Sequence, residues 1–444
     1  MSSLGESIFY YAYKLDMTTI SASNQVPLNP NHINLSKRMY NILGSGGFGQ
    51  VIVPALPNMK NGLISEYPDN VTKLFYDEDD KQSALKIAEQ VPELMGANKG
   101  HNVYDYLYKY KKSNLPLSLQ TKIGAKIRSG PLFAVRMPNL GVSINRLNTV
   151  YKKIREVPIV NIMEQVVKLL SQTANLAEHF YIHGDIRESN VTINPKDGTM
   201  TIIDFDWLRP YHKFIETYTF NFYNNPPELL FIPHLDTLRN IVKRPPLTAQ
   251  QLMYDLDLVT LKDFQRYAIN QIKQYNYINE NVELQLFRIF SGLSSTIKFL
   301  KNKLDKDDNL DLEVLLTTYS IPTFDNFGLG FVLIELFVTL YPAPYGAENE
   351  LDEVKKSLRA RIKTLNNSEI DIYAKGIIEF IDLFRSISHF SMSERPHPQT
   401  VHLRAQEILN DIKTKLASMD KMNVNNVKKT RKARSKRAKT RRNH

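Results

Sequence analysis

Three oxygen-bearing side chains define the chemistry this sequence is equipped for. Asp185 and Asn190 stand five residues apart in His183-Gly184-Asp185-Ile186-Arg187-Glu188-Ser189-Asn190, a polar stretch that reads as an exposed loop. A β-branched run, Val191 to Ile193, follows it, and Pro195-Lys196-Asp197-Gly198 reads as a turn in which Asp-Gly supplies the positive φ of a tight hairpin. A second short strand, Met200 to Ile203, then delivers Asp204. A hairpin of this shape brings Asp185, Asn190 and Asp204 to one end of a small sheet. Two carboxylates and an amide oxygen are hard ligands, the kind Mg²⁺ takes when it also holds phosphates. The bland alternative for Asp185 is a solvated loop carboxylate at the end of a helix.

Several elements are placed to position that loop. Asn161 to Phe180 reads as a helix, with Ile162, Val166, Leu169, Thr173, Leu176 and Phe180 at three-to-four spacing, and it ends just before His183. Far upstream, Leu43-Gly44-Ser45-Gly46-Gly47-Phe48-Gly49-Gln50-Val51 contains G-x-G-x-x-G. Glycines there let backbone N–H groups approach phosphate oxygens with no Cβ in the way. The motif alone also fits a dinucleotide fingerprint or a plain hairpin turn. Strand-like Val51, Ile52 and Val53 follow it rather than a helix, which disfavours the dinucleotide reading. Val71 to Phe75 alternates like a strand, and Asp79 to Val91 reads as a helix stopped by Pro92. Leu132 to Val135 reads as a further strand.

Together these motifs resemble the eukaryotic-type protein kinase superfamily. HGDIRESN is similar to its catalytic loop H-R-D-L-x-x-x-N, and Asp204-Phe205-Asp206 to D-F-G. Gly44 to Val51 matches G-x-G-x-x-G-x-V, and Val71-Thr72-Lys73 resembles the strand that carries the phosphate-gripping lysine. Pro226-Pro227-Glu228 resembles A-P-E, Phe324 to Leu336 the buried helix D-x-W-S-L-G-x-x-L-x-E-L, and Arg395-Pro396 the late arginine. The resemblance spans about residues 40 to 410. It implies an α+β, two-lobed fold, with a small β-rich N-lobe and a larger, mostly helical C-lobe carrying a helical insertion. The implied activity is transfer of the γ-phosphoryl group of ATP, with Mg²⁺, to Ser/Thr hydroxyls of a protein substrate.

Carried over residue by residue, Asp185 is the catalytic carboxylate, and Asn190 and Asp204 hold Mg²⁺. Lys73 grips the α- and β-phosphates, and Glu89, with Glu93 second, fixes that lysine. Leu43, Gly44, Ser45, Gly46, Gly47, Phe48, Gly49 and Val51 cover the nucleotide. Arg136 to Gly141 takes the place of the hinge that meets adenine. Asp325 braces the catalytic-loop backbone, and Arg395 pairs with Glu228. Three departures stand out. Arg187 occupies a position where serine/threonine kinases carry lysine, and offers a planar fork in place of a point charge. Gly184 replaces the arginine that reads a phosphate on the activation segment, which implies that Thr217, Tyr218 and Thr219 need no phosphorylation. Asp206 replaces a glycine, and either restricts the backbone or adds a carboxylate near the metal. Two alternatives stay open: a pseudokinase serving as a binding or structural module, and a small-molecule phosphotransferase of kinase-like fold. The latter generally lacks the A-P-E glutamate and its arginine, so Glu228 and Arg395 favour a protein substrate.

The remaining sequence sets bounds. Its 444 residues suffice for one large or two moderate domains, and the apolar content of 42% is ordinary for a globular chain. With no cysteine, disulfides and thiolate metal sites are excluded. No uninterrupted apolar run reaches the roughly 18 residues of a bilayer span, and the first residues lack the pattern of a secretory signal. These point to an intracellular protein of cytoplasm or nucleus. The net charge of +11 belongs to a tail: ten Lys or Arg and no acid lie between Lys428 and Arg442, and without them 47 basic residues face 46 acidic ones. Such a run suits nuclear import or a weak, salt-dependent nucleic-acid contact. Asn-, Ile-, Tyr- and Lys-rich usage resembles that of proteins from large DNA viruses. The expected organisation is an extension over 1–39, an N-lobe with hinge over 40–141, a C-lobe over 142–415, and a basic tail over 416–444. Between Glu228 and Asp325 the chain is unusually long for the family. A Thr248/Gln251 capping box and a stripe from Val282 to Leu304 predict a helical insertion over about 235–320, either architectural or a docking surface.

Overall fold

The computed structural model describes residues 26–27, 41–45, 49–53, 55–56, 58–60, 63–65, 70–76, 78–79, 81–82, 105–110, 119, 132–217, 225–243, 245, 248, 251–252, 282–306, 311–344, 346 and 348–419. The chain is α+β, with small antiparallel sheets and a mostly helical remainder. It divides into two compact units. The described residues up to Gln82 and from 105 to Asn139 form the first, and those from Leu140 onward the second.

The first unit is built on a five-stranded antiparallel sheet of β1 (Asn41–Ser45), β2 (Gly49–Val53), β3 (Asn70–Phe75), β4 (Asp105–Tyr110) and β5 (Leu132–Pro138), in the order β1-β2-β3-β5-β4. Ile52, Leu56, Leu74, Leu119, Leu132 and Ala134 form an aliphatic core on one side. The expected strand at 132–135 is longer than its apolar run. Arg136, Met137 and Pro138 stay in register with Thr72, Val71 and Asn70, so the ladder consumes half of the segment read as a hinge. The backbone bonds continue regardless of side-chain polarity, and Pro138 ends the strand, where its missing N–H costs no ladder bond.

In the second unit, α1 (Ile159–Glu178) starts two residues before the expected Asn161 and stops before Phe180. Pro158 at its N-cap sets the start, and Phe180 takes a left-handed φ of 58° at the exit. Its inner face, with Ile162, Val166, Leu169 and Leu170, packs in one core with Leu329, Val332 and Leu336 of α6 and Ile377, Phe380 and Phe384 of α8. Here α2 is Tyr211–Thr217, α3 Leu235–Val242, α4 Val282–Leu304, α5 Leu312–Tyr319, α6 Phe324–Leu340, α7 Glu350–Arg361 and α8 Asn367–Ile387. A last helix covers 398–419.

The described residues between 235 and 320 are largely helical, as the stripe predicted. Ile289, Leu293, Ile297 and Leu300 of α4 are buried in a second core with Leu238 and Ile241 of α3 and Leu312, Leu315 and Leu316 of α5. Both bonds of the capping box form: Gln251 N–H donates to Thr248 Oγ1 at 3.2 Å, and Thr248 N–H to Gln251 Oε1 at 2.9 Å. By length and composition the stretch Leu312–Leu340 would suffice to cross a membrane, and 78% of its most apolar window is buried inside the fold. Counting uninterrupted apolar residues passes over it, because Thr317, Thr318, Ser320 and Asp325 break the run.

Candidate active site

The hairpin read from the sequence forms. β7 (Val191–Ile193) and β8 (Met200–Ile202) pair antiparallel, with Val191 opposite Ile202 and Ile193 opposite Met200. Strand β6 (Val142–Ser143) extends the sheet on the far side of β7. At the turn, Gly198 takes φ +79° and its N–H donates to Asn194 O at 2.9 Å. At the open end, Ile203 N–H donates to Asn190 O at 2.8 Å, which sets Asn190 across from Ile203 and next to Asp204. Asp204 itself takes φ 67°, ψ 62°. A left-handed aspartate costs of order 1–3 kcal/mol and persists only where its surroundings over-determine it.

Asp185 and Asn190 lie on a buried loop, not the exposed one expected: they are 8% and 4% exposed. The loop folds inward because its polar atoms find partners within the chain. Asn190 Nδ2 donates to Asp185 Oδ2 at 2.8 Å and to the Asp185 carbonyl at 2.9 Å, and Ser189 Oγ donates to Asn190 Oδ1 at 3.2 Å. Arg187 Nη2 lies 3.2 Å from Asp185 Oδ2. Burial pushes the Asp185 carboxyl up to about 6, with the charge of Asp204 adding to the rise and Arg187 and Asn190 opposing it. His183, to which the sequence assigns no role, is fully buried; its Nδ1 accepts from Asp185 N–H at 3.3 Å and its Nε2 meets Ile203 O at 3.1 Å. That pattern calls for the neutral Nε2–H tautomer, and burial pulls the imidazole down to about 4. It thereby ties the loop to the end of β8.

Asp325 braces this region, and a second buried carboxylate, Glu228, is held elsewhere in the same unit. Asp325, in the first turn of α6, accepts from His183 N–H at 2.7 Å and Gly184 N–H at 3.0 Å. Burial pushes it up to about 7 against those two donors. Gly184 has φ +79°, and a Cβ there would stand 3.4 Å from Trp207 O and 3.6 Å from Phe214 Cε2. The backbone turn itself therefore favours glycine over arginine. Outside glycine, only Phe180 and Asp204 carry a positive φ among the described residues, so Asp206 keeps an ordinary backbone within the short 3₁₀ turn Phe205–Trp207. Glu228, fully buried, pairs with Arg395 and accepts from Ser320 Oγ at 2.5 Å. Arg395 also lies over the Phe327 ring at 5.3 Å. Sequence reasoning misses Ser320, since nothing local marks a hydroxyl 92 residues away as a partner.

Lys73 and Val51 belong to the first unit. Lys73 sits in β3 opposite Val51 of β2 and Val135 of β5, buried, with Nζ 5.1 Å from the Phe75 ring centre. Gly44 and Ser45 pair with Val51 and Gln50 across the β1–β2 hairpin. Gly46, Gly47, Phe48, Glu89, Glu93, Tyr218, Thr219, most of the first 40 residues and the basic tail lie outside the described residues, as do the side chains of Leu43 to Gly49.

The donor set at Asn190 and Asp204 suits a hard divalent cation: an amide oxygen and a carboxylate, with the charge of Asp204 close enough to Asp185 to raise the cost of ionising it. Among the described residues no cluster of three or more His, Cys, Asp or Glu gathers. A Mg²⁺ that also binds phosphates needs only one or two protein carboxylates. No family profile matches the chain, and comparison with curated proteins finds no match.

Proposed function

We propose that the chain is an ATP-dependent protein kinase that transfers the γ-phosphoryl group to serine or threonine hydroxyls, on a two-lobed kinase-like fold. The observation that carries this reading is the Asp185 carboxylate, held by Asn190 Nδ2 at 2.8 Å and by Arg187 at 3.2 Å, beside a left-handed Asp204. The β1-β2-β3-β5-β4 sheet bearing Lys73, the Asp325 brace and the Glu228–Arg395 pair support it.

Asp185 takes the proton of the attacking hydroxyl as its oxygen bonds the γ-phosphorus and the bond to the β–γ bridging oxygen breaks. A carboxyl raised to about 6 is ionised at neutral pH yet basic enough for that task. Asn190 fixes the carboxylate through its Nδ2, and its amide oxygen, already accepting from Ser189 Oγ, has a second lone pair for a cation. Arg187 spreads positive charge beside the transferred group. Lys73 grips the α- and β-phosphates. Asn190 and Asp204 would hold Mg²⁺, which when bound would neutralise charge on the phosphates. Asp325 keeps the loop backbone in place without touching the reactants.

The test is nucleotide binding with and without Mg²⁺, followed by transfer of labelled γ-phosphate to the chain itself or to a generic protein. Binding without transfer favours a pseudokinase, and transfer to a small alcohol alone favours a small-molecule enzyme. Since Gly184 supplies no guanidinium to read a phosphate, changing Thr217, Tyr218 and Thr219 together to residues without a hydroxyl should leave transfer intact. Abolished transfer in that variant would count against constitutive competence.

A further inference from the structure

We propose that Lys81 is a second phosphate-gripping cation, acting beside Lys73 on one face of the five-stranded sheet; this rests on the nucleotide reading above. Phe75 and Phe133 are register partners on β3 and β5, so their side chains stand on the same face. Lys73, two residues before Phe75, shares that face. Lys73 Nζ lies 5.1 Å from the Phe75 ring centre, and Lys81 Nζ lies 4.9 Å from that of Phe133. Two ammonium groups thus flank one cross-strand aromatic pair. The opposite face carries Ile52, Leu74, Leu132 and Ala134 of the aliphatic core. Gly49, the last glycine of the lid motif, is the register partner of Phe75 on the other side of β3. The end of the lid thus shares a ladder row with Phe75 and Phe133, two rows from Lys73, and Lys81 reaches that row through its contact with the Phe133 ring.

The charge balance at Lys81 points to an anionic ligand. The residue is only 5% exposed, and the carboxylate facing it, Glu78 at 3.1 Å, has a side chain 54% exposed. A half-exposed carboxylate is a weak partner because water screens it, while a buried ammonium needs strong compensation. A phosphate oxygen gives a shorter, stronger charge-assisted bond and could take the ammonium from Glu78. The competing reading makes Lys81 a staple that fixes its own stretch of chain to the Phe133 ring. The two readings part on whether the number of phosphates in the ligand matters.

The experiment titrates the full-length chain and Lys81→Met with adenosine, ADP and ATP, alongside thermal unfolding of each. Expected is a loss of roughly tenfold or more in ATP affinity, a smaller loss for ADP and none for adenosine, with Lys81→Arg restoring most of the ATP binding. Glu78→Gln removes the competing carboxylate and should tighten ATP several-fold without moving adenosine. Equal losses for all three ligands, or an unchanged ATP affinity, overturn the proposal in favour of the staple. Should Lys81→Met fail to fold, Glu78→Gln decides: tighter ATP supports the proposal, and unchanged or weaker ATP overturns it. A wild-type chain that binds ATP no better than adenosine overturns the nucleotide reading itself, and the role of Lys81 with it.

Discussion

Between His183 and Asp206 many of the buried side chains are polar: His183, Asp185, Glu188, Asn190, Thr192 and Thr201 are each nearly sealed from solvent. In α3, α4 and α5 the buried side chains are apolar almost throughout, with Leu, Ile and Phe filling a core of their own. Both stretches belong to the second unit, yet the first folds at the cost of desolvating charge and the second gains by removing hydrocarbon from water. Buried polar groups persist only when hydrogen-bonded, so the first stretch needs its long-range partner, Asp325, and its left-handed turns. The insertion needs only its stripes. The difference separates a region held by buried polar contacts from one held by hydrocarbon packing, and marks where substitutions should hurt.

The second region is closed by Glu228, Ser320 and Arg395. Glu228 precedes α3 and Ser320 follows α5, so their bond closes the base of the insertion, and Arg395 locks it. Glu228→Ala leaves a fully buried guanidinium without its carboxylate and should destabilise by about 3–5 kcal/mol. Denaturant unfolding checks this, and a loss under about 1 kcal/mol would mean the pair is solvated in solution.

A smaller effect comes from pH. Asp185, raised to about 6, must be ionised to take a proton, so transfer should fall about tenfold per unit once pH drops below 6. Stability should move the other way. Asp185 and Asp325 hold protons in the folded chain that the unfolded chain has released, since both sit above their ordinary 3.8. Their contribution is therefore fully present below about pH 4 and is lost as pH rises from there through about 6 to 7. A rate profile flat from pH 5 to 8 would remove Asp185 as the base. The least effect is expected on the outer face of the insertion. Val314 on α5 is 46% exposed, and Val314→Ser should change stability by less than about 0.5 kcal/mol and leave transfer unaltered. A large loss of transfer there would make the insertion a working surface.

The hairpin from Val191 to Ile202 is legible in the sequence because its signals are local: β-branched runs, an Asp-Gly turn and a fixed register. Helices α1 and α4 are legible through periodicity and α6 through its resemblance to a family motif, with the boundaries of α1 off by a few residues where Pro158 and the exit at Phe180 set its ends. The motif spacing also places Asp185, Asn190 and Asp204 correctly at one end of the sheet. What stays hidden depends on contacts distant in sequence. Burial of the loop follows from the Asp325 brace and the His183–Ile203 bond. Ser320 and Lys81 carry no local mark, because a serine or lysine reads the same on a surface as under a ring. Strand β5 reads too short in the sequence because Arg136 looks like its end, while its backbone goes on pairing with Thr72.

The most direct test is the rate of labelled γ-phosphate transfer by the wild-type chain against Asp185→Asn, with ATP affinity measured on both. Asparagine keeps the shape and loses the base. Transfer should fall on the order of 10²–10³-fold while ATP binds as before. An Asp185→Asn chain that transfers phosphate at the wild-type rate would contradict the assignment of this carboxylate.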